Sequence, residues 1–129
     1  MFYLKRFALL LLILTFLAGL NACRPENRDG SVSINSILKN PQKYENQRIV
    51  VIGEFWGFEK DERIKEPPSK LGELWLLKDK TGAIYVGGYT GGLNPFIEAD
   101  LGIPVRLEVF VKIVDGYVFL EVQDAGVLK

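Results

Sequence analysis

The chain has 129 residues, 16 basic and 16 acidic side chains, a single cysteine and no histidine. One cysteine excludes an intrachain disulfide, and without histidine neither a Ser-His-Asp or Cys-His triad nor an ordinary zinc or haem site can be assembled, so no metal and no cofactor is expected. Lys5 and Arg6 belong to a leading apolar segment, which leaves the remainder slightly acidic and without the clustered positive charge that binding a phosphate backbone requires.

Lys5 and Arg6 precede a run from Phe7 to Leu20 that is apolar except for Thr15, and Asn21 and Ala22 then lead to Cys23. A positive start, a short apolar middle and a small-residue end follow the order of a signal peptide. As a helix the run of about 14 residues spans roughly 21 Å, short of the about 30 Å of a bilayer core. An anchor that is never cut is the competing reading; a buried helix would show a polar face, and none interrupts the run. Leu20-Asn21-Ala22-Cys23 resembles the lipobox of bacterial lipoproteins. That resemblance implies that residues 1–22 are removed and that Cys23 becomes the first residue, carrying diacylglycerol and often an acylated amine. Several acyl chains give stable anchoring at about 0.8 kcal/mol per buried CH₂. Arg24 stands where aspartate would imply retention in an inner membrane. In a two-membrane cell the resemblance therefore points to the periplasmic face of the outer membrane.

Residues 24–31 are polar, contain Pro25 and Gly30 and offer no apolar anchor, so 23–31 reads as a lipidated cysteine with a flexible spacer and 32–129 as the folded domain. Ser33 as N-cap, apolar residues at spacings of three and four, and Pro41 as a stop predict a short helix over 33–39. Residues 40–44 form a second brief turn. Strands are then expected over 48–58, 73–78, 83–89, 105–114 and 117–123, with Gly53 and Gly57 marking bulges or sharp coiling in the first. Asp79-Lys80-Thr81-Gly82 predicts a tight hairpin with its glycine in a left-handed position, and Asp115-Gly116 predicts another. Asn94 as cap, Pro95 at the first helical position and Gly102 as terminator predict one or two helical turns between strands three and four.

Three strands, a short helix and two strands in this order resemble the OB-fold, a small five-stranded Greek-key barrel. Residues 76–86 look like the second-to-third-strand hairpin of the group related to tRNA-anticodon-binding domains, and 105–109 with 116–122 like its closing pair. The fold class is therefore mainly β, a small OB barrel with a short N-terminal helix. The fold itself leaves function open, because it carries nucleic-acid, sugar, protein and haem binders alike.

With Val51, Leu77, Ile84, Leu107 and Leu120 pointing inward, strand alternation sends Trp56, Leu74, Leu76 and Tyr85 to the outer face of strands one to three. OB-folds usually bind there, which makes these four the candidate ligand-binding face; the competing reading packs them beneath the N-terminal helix or the long loop 59–72. That loop is charged but nearly neutral in sum and reads as a solvated hairpin. Residues 87–92 are glycine-rich but lack the spacing of a dinucleotide or phosphate loop. Glu54, Asp79, Glu108 and Glu121 lie on or beside strands, and no spacing pairs them for acid-base work. Three functions are weighed: a non-catalytic, membrane-tethered adaptor of the cell envelope binding a protein, peptide or glycan; a single-strand nucleic-acid binder; and a hydrolase using carboxylates alone. A continuous positive groove over Arg48, Lys78, Arg106 and Lys112 would favour the second, and a pair of carboxylates in a cleft the third.

Overall fold

A computed structural model describes residues 26–129, so the leader, the lipobox-like motif and Cys23 lie outside the described residues. The first described segment is a turn built by short polar side chains. Ser31 Oγ donates to Asp29 Oδ1 at 2.6 Å and accepts from Asn27 Nδ2 at 3.0 Å. Val32 N then donates to Val50 O at 2.8 Å. Ser31 and Val32 are buried. Polar composition reads residues 26–31 as spacer, but Asx-type hydrogen bonding orders them against the barrel.

Helix α1 (Ile34–Lys39) begins at Ser33, whose Oγ accepts from Ser36 N at 3.2 Å. Two of its other free amides are satisfied from outside: Ile34 N donates to Asp79 Oδ2 at 2.9 Å and Asn35 N to Thr81 Oγ1 at 3.0 Å. Helix α2 (Pro41–Tyr44) follows as one turn with proline at its start. Five strands come next: β1 (Arg48–Phe55), β2 (Trp75–Lys78), β3 (Ala83–Gly87), β4 (Pro104–Val114) and β5 (Tyr117–Val127). They close into a barrel in the order β1-β2-β3-β5-β4, with β4 returning to β1. Every pair is antiparallel except β3 with β5, where Val86 faces Leu120. This is the OB-fold arrangement.

The inward register follows strand alternation. Val51, Leu77, Ile84, Leu107 and Leu120 are all buried in one cluster with Phe55, Trp75 and Val86. The rings of Phe55 and Trp75 lie 5.2 Å apart at 52°. Ile34 and Ile37 of α1 join the same cluster at the barrel end where β1 begins, while Leu93 and Leu101 pack against it from the β3–β4 loop (residues 88–103). Gly53 sits where β1 crosses β2 most closely, since a Cβ there would lie 2.7 Å from Lys78 O. It permits coiling rather than a bulge; the register shift in the sheet falls at Glu108/Val109 instead.

Two local expectations change in detail. Gly82 does not adopt a positive φ. The β2–β3 turn is shaped by Asp79, whose Oδ1 accepts from Thr81 N, Thr81 Oγ1 and Gly82 N, and a Cβ at Gly82 would meet Ile34 of α1 at an ordinary contact distance of 3.5 Å. Asp115 and Gly116 do have φ of 50° and 79°, as the β4–β5 hairpin requires. Between β3 and β4 the helix shrinks to a 3₁₀ turn (Glu98–Asp100). Asn94 Oδ1 accepts from Phe96 N at 2.9 Å and Asn94 N donates to Asp100 Oδ2 at 2.8 Å, and these bonds with extended Ile97 hold the segment as linked turns.

Candidate functional site

Leu76 and Tyr85 on β2 and β3 lie outside the barrel, as alternation reads them, and Leu74, one residue before β2, joins them with Ala83 and Phe119 in a second apolar cluster, against which Trp56, one residue after β1, is packed. Ile64 and Leu71 of the β1–β2 loop (residues 56–74) and Val114 and Tyr117 of the β4–β5 hairpin pack against that cluster. Leu76 is 0% and Tyr85 4% exposed, so the surface on which OB-folds commonly bind is covered here by the protein's own loop.

Polar contacts hold the loop down. Tyr117 Oη donates to Lys65 O at 2.7 Å, and Lys70 pairs with Asp115 across the same seam. Within the loop, Asp61 accepts from Arg63 N and Nε at 2.9 Å each and from Arg63 Nη2 at 2.7 Å, while Lys78 Nζ lies 3.7 Å away. The Arg63 hydrogen bond keeps the Asp61 carboxyl well below the usual carboxylate range. Burial raises the Tyr85 phenol and pushes the Tyr117 phenol up to about 12.

Trp56 is half-buried, with Lys78 Nζ 4.7 Å from its ring centre and its Nε1 donating to Glu54 Oε1 at 3.3 Å. Leu74 and Tyr85 line a cavity of about 280 Å³ between the two limbs of the β1–β2 loop, and Tyr85 also lines one of about 200 Å³ beside Ile64 and Tyr117. Phe58, Glu59, Lys60 and Pro67 complete most of the wall of the larger. A further cavity of about 250 Å³ shares Phe58 and Glu59 with the larger and is closed by Pro95, Phe96 and Leu101. These two adjoin at Phe58 and Glu59, beyond the end of β1, and are taken together as the groove.

Its most exposed apolar group is Phe96, 82% accessible, whose ring meets that of Phe58 edge-on at 5.3 Å and 68°. Gly57 makes this meeting feasible. It has φ 57°, and a Cβ there would lie 3.0 Å from Pro95 O and from Leu101. Gly57 O accepts from Leu76 N at 2.8 Å, which fixes the loop base against β2. Neither Phe58 nor Phe96 stands out in the sequence, where the first falls at the end of the expected first strand and the second in the expected helical turns. The available signal was a phenylalanine directly after a glycine and another directly after a proline, in segments where chain reversal is favoured and burial is not.

The glycine-rich segment 87–92 turns the chain out of β3, with positive φ at Gly88, Gly91 and Gly92, and Gly88 O accepts from Trp75 Nε1 at 3.1 Å. Among the strand carboxylates, Asp79 is engaged in its turn and Glu108 lies 3.6 Å from Arg48 and 4.0 Å from Arg106. No group of three His, Cys, Asp or Glu among the described residues could hold a metal ion, and no helix among them is long and apolar enough to cross a membrane.

No family model and no curated protein matches the chain. Among solved structures it is similar to a chain assigned as an aspartyl-tRNA synthetase from Leishmania major Friedlin, at 12% identity and a TM-score of 0.47. The match covers 81% of this chain but 22% of that one. Likeness at this level carries no functional inference, and the fold assignment rests on strand order and register.

Proposed function

We propose that the protein is a non-catalytic binding module, held at a membrane of the cell envelope by lipid on Cys23, that engages an envelope protein through the Phe58–Phe96 end of its barrel. The single observation that carries this reading is the exposure of Phe96 against Phe58 over a shared groove. An aromatic pair left in solvent beside a recess is a feature of contact surfaces.

Position supports it. The described chain enters beside Val50, near the start of β1, whereas the groove lies beyond the end of β1. A tether at Cys23 therefore leaves the groove directed away from the anchored end. The nucleic-acid alternative gains no support from charge. Arg48 and Arg106 share Glu108 and Lys78 faces Asp61, so three of these four cations have a carboxylate beside them, while Lys112 Nζ lies 3.4 Å from the neutral Asn46 Oδ1. Of the carboxylates weighed for hydrolysis, Asp79 and Glu108 are occupied by structural contacts; Glu59 and Glu73 share a cavity with the Lys60–Glu66 pair, the kind of cleft that reading requires, and we assign them to binding.

Two experiments test the proposal. Changing Cys23 to Ser in the full chain is expected to leave an uncleaved precursor without lipid label; normal processing of that variant contradicts the address. Crosslinking of intact envelopes is expected to recover a partner with the wild-type chain and to lose it with Phe96→Ala. No recovery above background with the wild-type chain contradicts the binding role.

A further inference from the structure

The groove is apolar at its floor and acidic at its rim. Leu74 and Tyr85, 8% and 4% exposed, form the base of the inner cavity, and Phe58 stands between it and the outer one. Three carboxylates, Glu59, Glu66 and Glu73, line the inner cavity with one ammonium, Lys60. Lys60 Nζ is 2.7 Å from Glu66 Oε1, so that cation and one carboxylate answer each other. Glu59 and Glu73 remain exposed on the wall, with no other cation among the described residues lining the cavity. The inner cavity, at about 280 Å³, is smaller than the roughly 300–1,000 Å³ of sites for drug-sized ligands. It suits one long side chain.

We infer that the groove receives a peptide segment of a partner protein in which a lysine or arginine enters the Leu74–Tyr85 cavity and a neighbouring apolar residue packs on Phe58 and Phe96. The inference rests on the binding role proposed above and specifies its partner. A lysine or arginine stem is apolar along its length and charged only at its tip, so it can cover Leu74 and Tyr85 while its head stays among Glu59 and Glu73. The faces of Tyr85 and Phe58 add attraction for a cation. An acidic or phosphorylated segment would meet two exposed carboxylates. A neutral glycan would satisfy the aromatic pair and leave the rim charges unmatched. Charge complementarity therefore selects the basic segment, and rim charges of this kind act on specificity and on-rate more than on total affinity.

The test is selection of a random-peptide display library on the full chain, in parallel with the variants Glu59→Gln/Glu73→Gln and Phe96→Ala. All three changed residues are exposed, so the variants keep the core intact. The expected result is enrichment of sequences with lysine or arginine within two positions of an aromatic or aliphatic residue. Exposed charge pairs are modest, so the double glutamine variant should weaken the selected peptides by about fivefold and flatten their salt dependence. Phe96→Ala should weaken them whatever their charge. Enrichment of charge-free or acidic sequences that still depend on Phe96 overturns the basic-segment inference and leaves the binding role standing. Failure to enrich any peptide, or capture of a chitooligosaccharide probe in a Phe96-dependent way, also overturns it; loss of the envelope crosslink at the same time overturns the binding role as well.

Discussion

On the outer face of β2 and β3, Leu76 and Tyr85 lie beneath Ile64 and Leu71 of the β1–β2 loop; at the barrel end, Phe58 and Phe96 stand in solvent around a groove. Both surfaces are apolar and both lie outside the barrel core. The difference is what covers them. A small barrel has few side chains with which to bury its surface, and here a loop that reads as charged contributes two apolar residues and a set of latches to the strand face. The end of the barrel receives no such cover from the described residues. Apolar character along a strand therefore does not distinguish a binding face from a second core; the segments packed against it do.

The largest effect that separates the two surfaces is on stability. Leu76→Ala removes a fully buried side chain and is expected to cost roughly 2–5 kcal/mol, measured by denaturant unfolding. A cost below about 1 kcal/mol would mean that the loop does not pack there. The second effect concerns the latch. Asp61 has a lowered folded-state value because of the Arg63 hydrogen bond, so its stabilisation is present above the ordinary value of about 3.9 and is lost as pH falls through the lower folded value. Asp61→Asn should therefore lower stability by about 1 kcal/mol at neutral pH, and the gap to wild type should close in strong acid. A gap independent of pH would remove charge from the account of the latch. The smallest effect is at Tyr44, whose hydroxyl is buried without a hydrogen-bond partner among the described residues. Tyr44→Phe should leave stability unchanged or raise it by about 1 kcal/mol; a clear loss would show that the hydroxyl is satisfied in solution.

Much of the fold was legible because local chemistry and global pattern agree. Ser33 caps α1, Asp115-Gly116 turns β4 into β5, and strand alternation sorts Val51, Leu77, Ile84, Leu107 and Leu120 inward. Other features depend on contacts between distant segments. Gly82 looks like a left-handed turn glycine, but Asp79 shapes that turn and α1 docks on it through Ile34 N and Asn35 N, and residues 26–31 look like spacer until Val32 pairs with Val50. Alternation put Trp56, Leu74, Leu76 and Tyr85 on one face, but the covering by Ile64 and Leu71 is a long-range event inside a run of charges. Phe58 and Phe96 were harder still, since nothing local brings a residue after β1 to one in the β3–β4 loop; Gly57 does so only once the barrel has closed.

The central claim is that the groove end, and not the strand face, meets the partner. It is tested most directly by placing a photo-crosslinking side chain at position 96, on the groove, or at position 64, on the loop that covers the strand face, in the full chain and irradiating intact cells. Adducts to another molecule from position 96, with none from position 64, are the predicted result. Intermolecular adducts from position 64 with none from position 96 would contradict it.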